Sequence, residues 1–382
     1  MKKFLIYIFF LILPFFVILP LPLYCLWSVG ELMPFDSYIH PLNKNQLWGL
    51  AYNYYDREYK YFMTEYLKPD VIELGTSRSM QVEENIINNR YSFYNAGGAV
   101  QNSEDYLEFI KTLKYDPTLI IIDINQFFFN PKSEKTAKAV YEKPKLTSLM
   151  VINGCKRFYD DLLDGKIKLD RLADNNNIGL LARMKLDGFT RTGTRYNDLL
   201  FTKIEECEDY NFENTMSRIR NHDRRFQTCN EADTSVVYHI DAFLKECKKR
   251  GIMVIGLLPP FAHKVNEFMK KEKNYQYLSQ IYGLLLPSFD GRTQFLFDYT
   301  DATIVEGEDY DFQDGFHAGV IINNLIFKDI ISKNSQLSDF FVAPELIDSI
   351  NLEYRKVHPK FHDLPPLFRN QAPKIEQKDD NK

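Results

Sequence analysis

Five short apolar runs, each followed by small or polar residues, dominate the pattern of the chain from residue 70 onward. They lie at residues 71–74, 93–96, 119–125, 253–258 and 294–299. Their length and their content of β-branched residues are typical of strands that are buried on both faces. We therefore predict five strands of one mostly parallel sheet.

Amphipathic stretches lie between and after these runs. Residues 103–113 follow Asn102 and carry acidic residues in their first turn, as the N-termini of helices prefer. Residues 235–250 place apolar side chains on one helical face and end before Gly251. Residues 318–331 are a third predicted helix. This alternation predicts a doubly wound, flavodoxin-like α/β fold with a five-stranded sheet.

Three other segments depart from this alternation. Residues 31–69 are rich in Tyr and Trp and are predicted to be a lead-in helical segment that packs its aromatic side chains on the α/β domain. That domain is predicted at residues 70–335, with a polar, largely helical insertion at residues 131–234. Residues 336–382 are predicted to be a C-terminal extension that ends in a Pro-containing polar tail.

An apolar stretch near the N-terminus bears on the compartment. None of the 24 residues from Phe4 to Trp27 is charged, and Lys2 and Lys3 precede them. Such a stretch is long enough to cross a bilayer as a helix, and the preceding lysines favour a cytoplasmic N-terminus. We expect residues 1–30 to be a single-pass anchor in the inner (cytoplasmic) membrane, with the rest periplasmic or otherwise extracytoplasmic. A cleaved signal peptide is the alternative, although no A-x-A-like site follows.

Composition narrows the class of protein. The 382 residues are 45% hydrophobic and 15% aromatic, which excludes an intrinsically disordered chain. The formal net charge of −5 argues against a nucleic-acid-binding protein, which normally has a basic excess. Five cysteines are too few for a disulfide framework. A disulfide between Cys207 and Cys229 and a set of unpaired cysteines are equal alternatives.

Two motifs carry candidate chemistry. Ser77 follows the first predicted strand, at the carboxyl end where α/β sheets place ligand-binding groups. Asp314 precedes His317 by three residues. An Asp at this spacing can bond the imidazole and fix its tautomer, so that the other ring nitrogen can take a serine proton. The alternative is that Ser77 and Asp314 only cap helices.

The pairing of these motifs resembles the SGNH (GDSL-like) hydrolase superfamily, whose nucleophilic serine follows the first strand and whose Asp-x-x-His lies near the C-terminus. Residues 94–99, Tyr-Asn-Ala-Gly-Gly-Ala, and residues 123–126, Asp-Ile-Asn-Gln, look like the second and third blocks of that family. The resemblance implies two groups of site residues. The catalytic group is Ser77, Asp314 and His317, and the oxyanion and substrate-binding group is Asn95, Gly98 and Asn125.

The chain departs from the family pattern in each of its first three blocks. Thr76 and Arg78 flank the serine where the family has Asp and Leu, a form similar to membrane-anchored members of the cell envelope. The amide of the second block corresponds to either Gly98 or Val100, depending on the spacing used. The third block keeps only its asparagine, Asn125.

The N-terminal stretch, the insertion and the Leu-Leu-Pro-Pro that ends the fourth predicted strand look like a subset of this superfamily. These members are similar to proteins of alginate O-acetylation and teichoic-acid D-alanylation, which work beside a membrane-bound O-acyltransferase. The resemblance implies a cofactor-free serine esterase or O-acyltransferase for ester-linked acyl groups of a cell-envelope polysaccharide. The alternative is a catalytically inactive SGNH-like subunit that binds glycan or acts as a scaffold. A general lipase is disfavoured because no apolar lid is evident.

Other chemistry lacks a motif. The chain has neither a G-x-x-x-x-G-K-[ST] loop nor a G-x-G-x-x-G fingerprint, so no nucleotide cofactor is expected. The histidines show no spacing typical of zinc ligands, so no metal site is expected. A cluster of four arginines in the insertion could hold an anionic glycan, but a solvated helical face is favoured. The four are Arg218, Arg220, Arg224 and Arg225.

Overall fold

A five-stranded parallel sheet forms the centre of the fold. The computed structural model describes Tyr7 and residues 20–133, 136–173, 176–198 and 209–357 of the chain. Its strands are β1 Val71–Gly75, β2 Phe93–Gly97, β3 Leu119–Asp123, β4 Asp187–Phe189, β5 Arg195–Asn197, β6 Met253–Leu258 and β7 Gln294–Asp298. The sheet order is β2-β1-β3-β6-β7, and every neighbouring pair is parallel. All five predicted strands are confirmed.

Eleven α-helices lie within the described residues. They are α1 Pro20–Ser28, α2 Asp56–Leu67, α3 Asp105–Thr112, α4 Ser148–Leu163, α5 Leu180–Lys185, α6 Glu213–Arg220, α7 Ser235–Lys249, α8 His263–Glu272, α9 Leu278–Leu285, α10 Val320–Lys333 and α11 Pro344–Val357. The three predicted helices correspond to α3, α7 and α10. Every residue of β1, β2 and β3 is buried, so both faces of these strands are covered, as in α/β proteins.

The lead-in segment is helical in its second half only. Helix α2 begins at Asp56, whereas residues 31–55 contain a single short 3₁₀ turn. This agrees with Pro34 and Pro41, which cannot donate a helical hydrogen bond. The predicted aromatic packing is confirmed. The ring of Tyr61 packs edge-on against that of Phe109 in α3 with centroids 5.4 Å apart, and both residues are buried.

The insertion contains helices α4, α5 and α6, but less than half of its described residues are helical, and it also contains an antiparallel hairpin that the sequence did not reveal. Strands β4 and β5 pair over three residues each and lie against Trp48. The buried amino group of Lys60 in α2 donates to the carbonyl oxygens of Asn95 and Gly193, which joins the hairpin loop to β2. These strands are too short for alternating hydrophobicity to be recognised, so tertiary contacts define them.

The two ends of the chain fall partly outside the described residues. The structure does not describe residues 1–6 and 8–19 of the predicted anchor or residues 358–382 of the predicted tail. Within the described part, none of the helices has the length and apolar character needed to span a bilayer. Helix α1 packs Cys25 and Leu26 against the insertion. Cys207 also lies outside the described residues, and Cys229 is a free cysteine.

We expect Gly75→Ala to lower the free energy of unfolding by about 3 kcal/mol, because overpacking of a tight core has this cost. An added Cβ at Gly75 would lie 2.1 Å from Oδ1 of Asp123 on the neighbouring strand. Urea unfolding followed by circular dichroism measures the change. Gly283→Ala is the control, because nothing lies within 4 Å of its added Cβ. In helix α9 it should raise stability by about 0.5–1 kcal/mol. Equal effects of the two substitutions would contradict the close approach of β1 and β3.

Candidate active site

Ser77, His317 and Asp314 form a continuous hydrogen-bonded chain at the carboxyl end of β1. The Oγ atom of Ser77 lies 2.8 Å from Nε2 of His317, although the two residues are 240 positions apart. Nδ1 of the same imidazole lies 2.6 Å from Oδ2 of Asp314. With the Nδ1 proton donated to Asp314, Nε2 accepts the hydroxyl proton of Ser77. The contacts predicted between these three residues are therefore present.

Asp314 has two partners besides the imidazole. Its Oδ1 atom accepts the backbone N–H groups of Phe316 at 2.9 Å and His317 at 2.8 Å, so the carboxylate caps its own turn and orients the ring. Burial raises the pKa of Asp314, but the charge and hydrogen bonds of His317 and the two N–H groups lower it further, to about 2. The carboxylate is thus ionised at neutral pH and can stabilise a protonated imidazole.

The turn that carries Ser77 is fixed by the neighbouring strand. Asp123 at the end of β3 accepts the backbone N–H of Thr76 at 2.8 Å and its hydroxyl at 2.7 Å. Thr76 Oγ1 in turn accepts the N–H of Arg78 at 3.2 Å, where a 3₁₀ turn begins at Ser77. Burial raises the pKa of Asp123 to about 6, although Thr76 and Arg78 oppose that shift. Register between β1 and β3 therefore positions the serine.

Arg78, the residue after the serine, joins the separate segments of the site. Its side chain is 2% exposed. The guanidinium donates four hydrogen bonds, to the carbonyl oxygens of Phe316 (2.9 Å), Pro259 (3.0 Å) and Pro260 (2.6 Å) and to Oε1 of Gln126 (2.5 Å). Burial lowers the pKa of Arg78 to about 9, so the group stays charged at neutral pH. The arginine that follows Ser77 therefore has a structural role that the resemblance did not suggest.

Two donors are available for an oxyanion next to Ser77. Ser77, Gly98 and Asn125 line a common cleft of about 390 Å³. The amide nitrogen of Asn125 makes one contact, at 3.3 Å to Thr76 Oγ1, while its Oδ1 accepts the N–H of Phe127 at 3.1 Å. Among the described residues no acceptor is found for the backbone N–H of Ser77. This N–H and the Asn125 amide are the candidate donors.

The expected donor from the second block is not free. Gly98 lines the cleft with φ +91°, but its N–H donates to the carbonyl oxygens of Gly75 at 2.8 Å and Thr76 at 3.0 Å. The alternative donor, the N–H of Val100, also donates to Gly75 O, at 3.1 Å. The chain after β2 folds back onto the end of β1, where both N–H groups are occupied by hydrogen bonds to carbonyl oxygens. In this structure the N–H of Gly98, the predicted oxyanion donor, is therefore occupied, and so is that of Val100.

Asn95 is a structural clamp and does not line the cleft. Its side-chain amide donates to the carbonyl oxygens of Ser79 and Val82, both at 2.8 Å, and its Oδ1 accepts the N–H of Gly97 at 2.7 Å. The residue is fully buried. Because all of these groups already have partners, the predicted oxyanion or substrate-binding role of Asn95 is wrong. It holds the segment after Ser77 against β2 instead.

Sequence reasoning missed the roles of Asp123, Arg78 and Gln126. A charged or amide side chain that ends or follows an apolar strand signals a buried polar group, and both Asp123 and Gln126 fit that signal. Of the four arginines considered for glycan binding, Arg225 lines the cleft. Arg220, Arg224 and Arg225 are exposed, consistent with the favoured solvated face.

One cluster in the described residues has the ligand types of a metal site. Ligand atoms of His263, Glu267 and Asp301 lie within 4.8 Å of one another. The amino group of Lys270 already bonds to Glu267 at 3.0 Å and to Asp301 at 3.2 Å. This ammonium group offsets part of the negative charge of the two carboxylates and occupies an oxygen of each, so the cluster is better described as a surface ion-pair network.

Comparisons with known proteins do not assign the chain to a family. No family model matches it, and no significant match is found among curated proteins or among solved structures. The resemblance to the SGNH superfamily therefore depends on the motifs and on the geometry of Ser77, His317 and Asp314.

We expect Arg78→Met to lower the free energy of unfolding by about 3 kcal/mol or more, because several buried acceptors would lose their partner. Urea unfolding provides the measurement. Arg90→Met is the matched control, since the Arg90 side chain is 59% exposed in its ion pair with Asp339. An exposed pair contributes about 0–1 kcal/mol. A loss at Arg78 no larger than that at Arg90 would contradict the proposed bridging role.

The low pKa of Asp314 predicts a pH-dependent contribution to stability. A carboxyl group whose pKa falls from 3.8 to about 2 on folding stabilises the protein above pH 3.8, and this contribution is lost as the pH falls through 2. The stability advantage over Asp314→Asn should therefore shrink by about 1 kcal/mol between pH 5 and pH 3. Urea unfolding of both chains at the two pH values tests this. An advantage that grows at pH 3 would show that the pKa of Asp314 is not lowered.

Proposed function

We propose that the chain is a membrane-anchored, extracytoplasmic serine esterase or O-acyltransferase of the SGNH type that acts on ester-linked acyl groups of a cell-envelope polysaccharide. The observation that carries this proposal is the contact of Ser77 Oγ with His317 Nε2 at 2.8 Å, with Asp314 at 2.6 Å on the other ring nitrogen. A serine with its general base and an orienting carboxylate is the arrangement used for acyl transfer.

The proposed reaction proceeds in two steps, acylation of Ser77 and then transfer of the acyl group to an acceptor. His317 takes the hydroxyl proton of Ser77 as Oγ attacks the ester carbonyl, and the ionised Asp314 stabilises the imidazolium. The tetrahedral intermediate collapses as His317 returns the proton to the departing sugar oxygen, which leaves an acyl group on Ser77. A water molecule or an acceptor hydroxyl then attacks this acyl-enzyme, with His317 again as base. The first acceptor gives an esterase and the second a transferase.

The negative charge of the intermediate needs hydrogen-bond donors. The N–H of Ser77 and the side-chain amide of Asn125 are the available donors described above. Each donor of this kind is worth about 10²–10³ in rate. The reaction requires no electron transfer and no activated phosphate, so proton transfer and hydrogen bonding by the side chains and the backbone N–H described above meet its requirements.

The parts of the proposal that concern the polymer substrate and the cellular location rest on the sequence. The uncharged stretch of residues 4–27 supports a membrane anchor, and the resemblance to envelope members supports a polysaccharide substrate and a membrane-bound O-acyltransferase as a partner. A formal net charge of −5 agrees with an ester of a glycan better than with a phosphate-rich polymer.

One observation favours the alternative function, an inactive glycan-binding or scaffold subunit. The N–H groups of Gly98 and Val100 are both bonded within the protein, so the oxyanion site has fewer donors than the family resemblance implies. A scaffold subunit would keep the fold and the cleft without needing those donors. Turnover of a simple ester distinguishes the two functions.

We expect a fluorophosphonate probe to label the full-length chain and p-nitrophenyl acetate to be hydrolysed, because Ser77 has a base within hydrogen-bond distance. Ser77→Ala should abolish labelling, and His317→Ala should reduce hydrolysis about 10³-fold or more. Labelling is read by mass spectrometry and hydrolysis by absorbance. Ser279→Ala, on helix α9, is a matched control that should change neither.

Labelling that persists in Ser77→Ala would exclude Ser77 as the nucleophile. If the unmodified chain shows neither labelling nor hydrolysis, the scaffold alternative replaces the enzyme.

A further inference from the structure

The cleft that contains Ser77 continues to a second group of polar side chains. Ser103, Glu104 and His239 line the same cleft of about 390 Å³. The Oγ atom of Ser103 lies 2.8 Å from Nδ1 of His239, and Oε1 of Glu104 lies 3.5 Å from Nε2 of that ring. Neither the triad nor the oxyanion donors use this group.

Core packing fixes the position of the imidazole. Ser103 and Glu104 lie directly before helix α3, and His239 lies on helix α7, which packs against α3. Ser235 and Val236 line the cleft from the same helix, so residues i, i+1 and i+4 form the face that α7 presents there. Because the Ser103 hydroxyl has little freedom at 7% exposure, it holds the ring in one orientation.

This group lacks the features of a second nucleophilic site. A nucleophile needs exposure and free amides for an oxyanion. Ser103 is buried, and the preceding N–H groups of Gln101 and Asn102 both donate to Oδ2 of Asp105, at 2.9 and 3.0 Å. The hydroxyl therefore orients His239, while the ring edge and Glu104 remain accessible, with side chains 31% and 49% exposed.

We propose that His239 and Glu104 form a subsite for a hydroxyl-rich sugar ring of the substrate. The 3.5 Å separation of Nε2 and Oε1 is longer than a good hydrogen bond, so each atom retains capacity for a ligand. A sugar hydroxyl both donates and accepts, and it can donate to the Glu104 carboxylate while it accepts from the Nε2 proton. This subsite rests on the proposed function, and it assigns that function a sugar ester as substrate.

The charges of the cleft agree with a neutral sugar. Acidic Asp56, Glu104 and Asp233 line it together with basic Lys138 and Arg225, so it has no excess of basic groups. The amino group of Lys138 already pairs with Glu108 at 3.1 Å. A phosphate-binding site would instead have an excess of basic groups. The volume of about 390 Å³ lies within the range of small-ligand sites, with room for a sugar beside the acyl group.

The test compares an ester without a sugar with esters of sugars. The probes are p-nitrophenyl acetate and partially O-acetylated tetrasaccharides of glucose, mannose and N-acetylglucosamine, used with the full-length chain. His239→Leu should lower kcat/KM for the acetylated tetrasaccharides about 10-fold, mainly through KM, because the hydrogen bond from the ring Nε2–H to a sugar hydroxyl is lost. Hydrolysis of p-nitrophenyl acetate should stay within about twofold, since that ester carries no sugar for the subsite to bind.

Two further variants sharpen the comparison. His239→Gln can place its side-chain amide near the Nε2 position that faces the sugar and should retain part of the sugar effect. His40→Leu alters an exposed histidine that does not line the cleft and should change neither substrate. Equal losses on both substrate types, or no loss on the sugar esters, would overturn the subsite.

Binding to Ser77→Ala separates the subsite from the proposed function. Calorimetry should detect the acetylated tetrasaccharides on Ser77→Ala, and the added His239→Leu should weaken that binding about 10-fold or more. If binding depends on His239 although the unmodified chain hydrolyses nothing, the subsite stands and the enzymatic proposal fails. If none of the tetrasaccharides binds to Ser77→Ala, or a fluorophosphonate labels Ser103 in that variant, the subsite fails.

Discussion

The geometry of the site depends on one buried positive charge. Arg78 is 2% exposed, and a charge removed from water is tolerated only when hydrogen bonds replace its hydration. Its acceptors come from the end of β3, the end of β6 and the loop that carries His317. The guanidinium can be satisfied only when these segments converge, so the same bonds that solvate it bring His317 within reach of Ser77.

Two buried carboxyl groups, Glu73 and Asp123, lie below the site. Glu73 in the centre of β1 is 1% exposed, and within the described residues neither of its carboxyl oxygens has a hydrogen-bond partner. Burial and the charge of nearby Asp123 raise the pKa of Glu73 well above its usual range, which favours its neutral form. A neutral Glu73 leaves Asp123 to hold the serine turn without a second like charge. The electrostatics of β1 therefore support the turn that presents Ser77.

The insertion also belongs to the architecture of the site. β2 is an edge strand of the sheet, and edge strands expose unpaired backbone groups. The hairpin loop covers this edge, where the N–H of Asn95 donates to Thr192 O at 2.7 Å and Lys60 bonds the Asn95 carbonyl. The N–H of Arg195 donates to Met80 O at 3.0 Å. The insertion thereby covers the β2 edge of the sheet and restrains the segment after the serine turn.

Local pattern in the sequence determined the strands, the main helices and the pair Ser77 and His317. Apolar runs and helical periodicity are properties of neighbouring residues, so they are visible without a structure. Only the tertiary structure decided which polar groups remain available. Gly98 and Asn95 look like site residues in the sequence, yet their hydrogen bonds are consumed where the chain returns to β1. His239 gave no signal because its partners, Ser103 and Glu104, lie before another helix and far away in the sequence. A donor is free or occupied according to which distant segment folds against it, and linear spacing does not encode that contact.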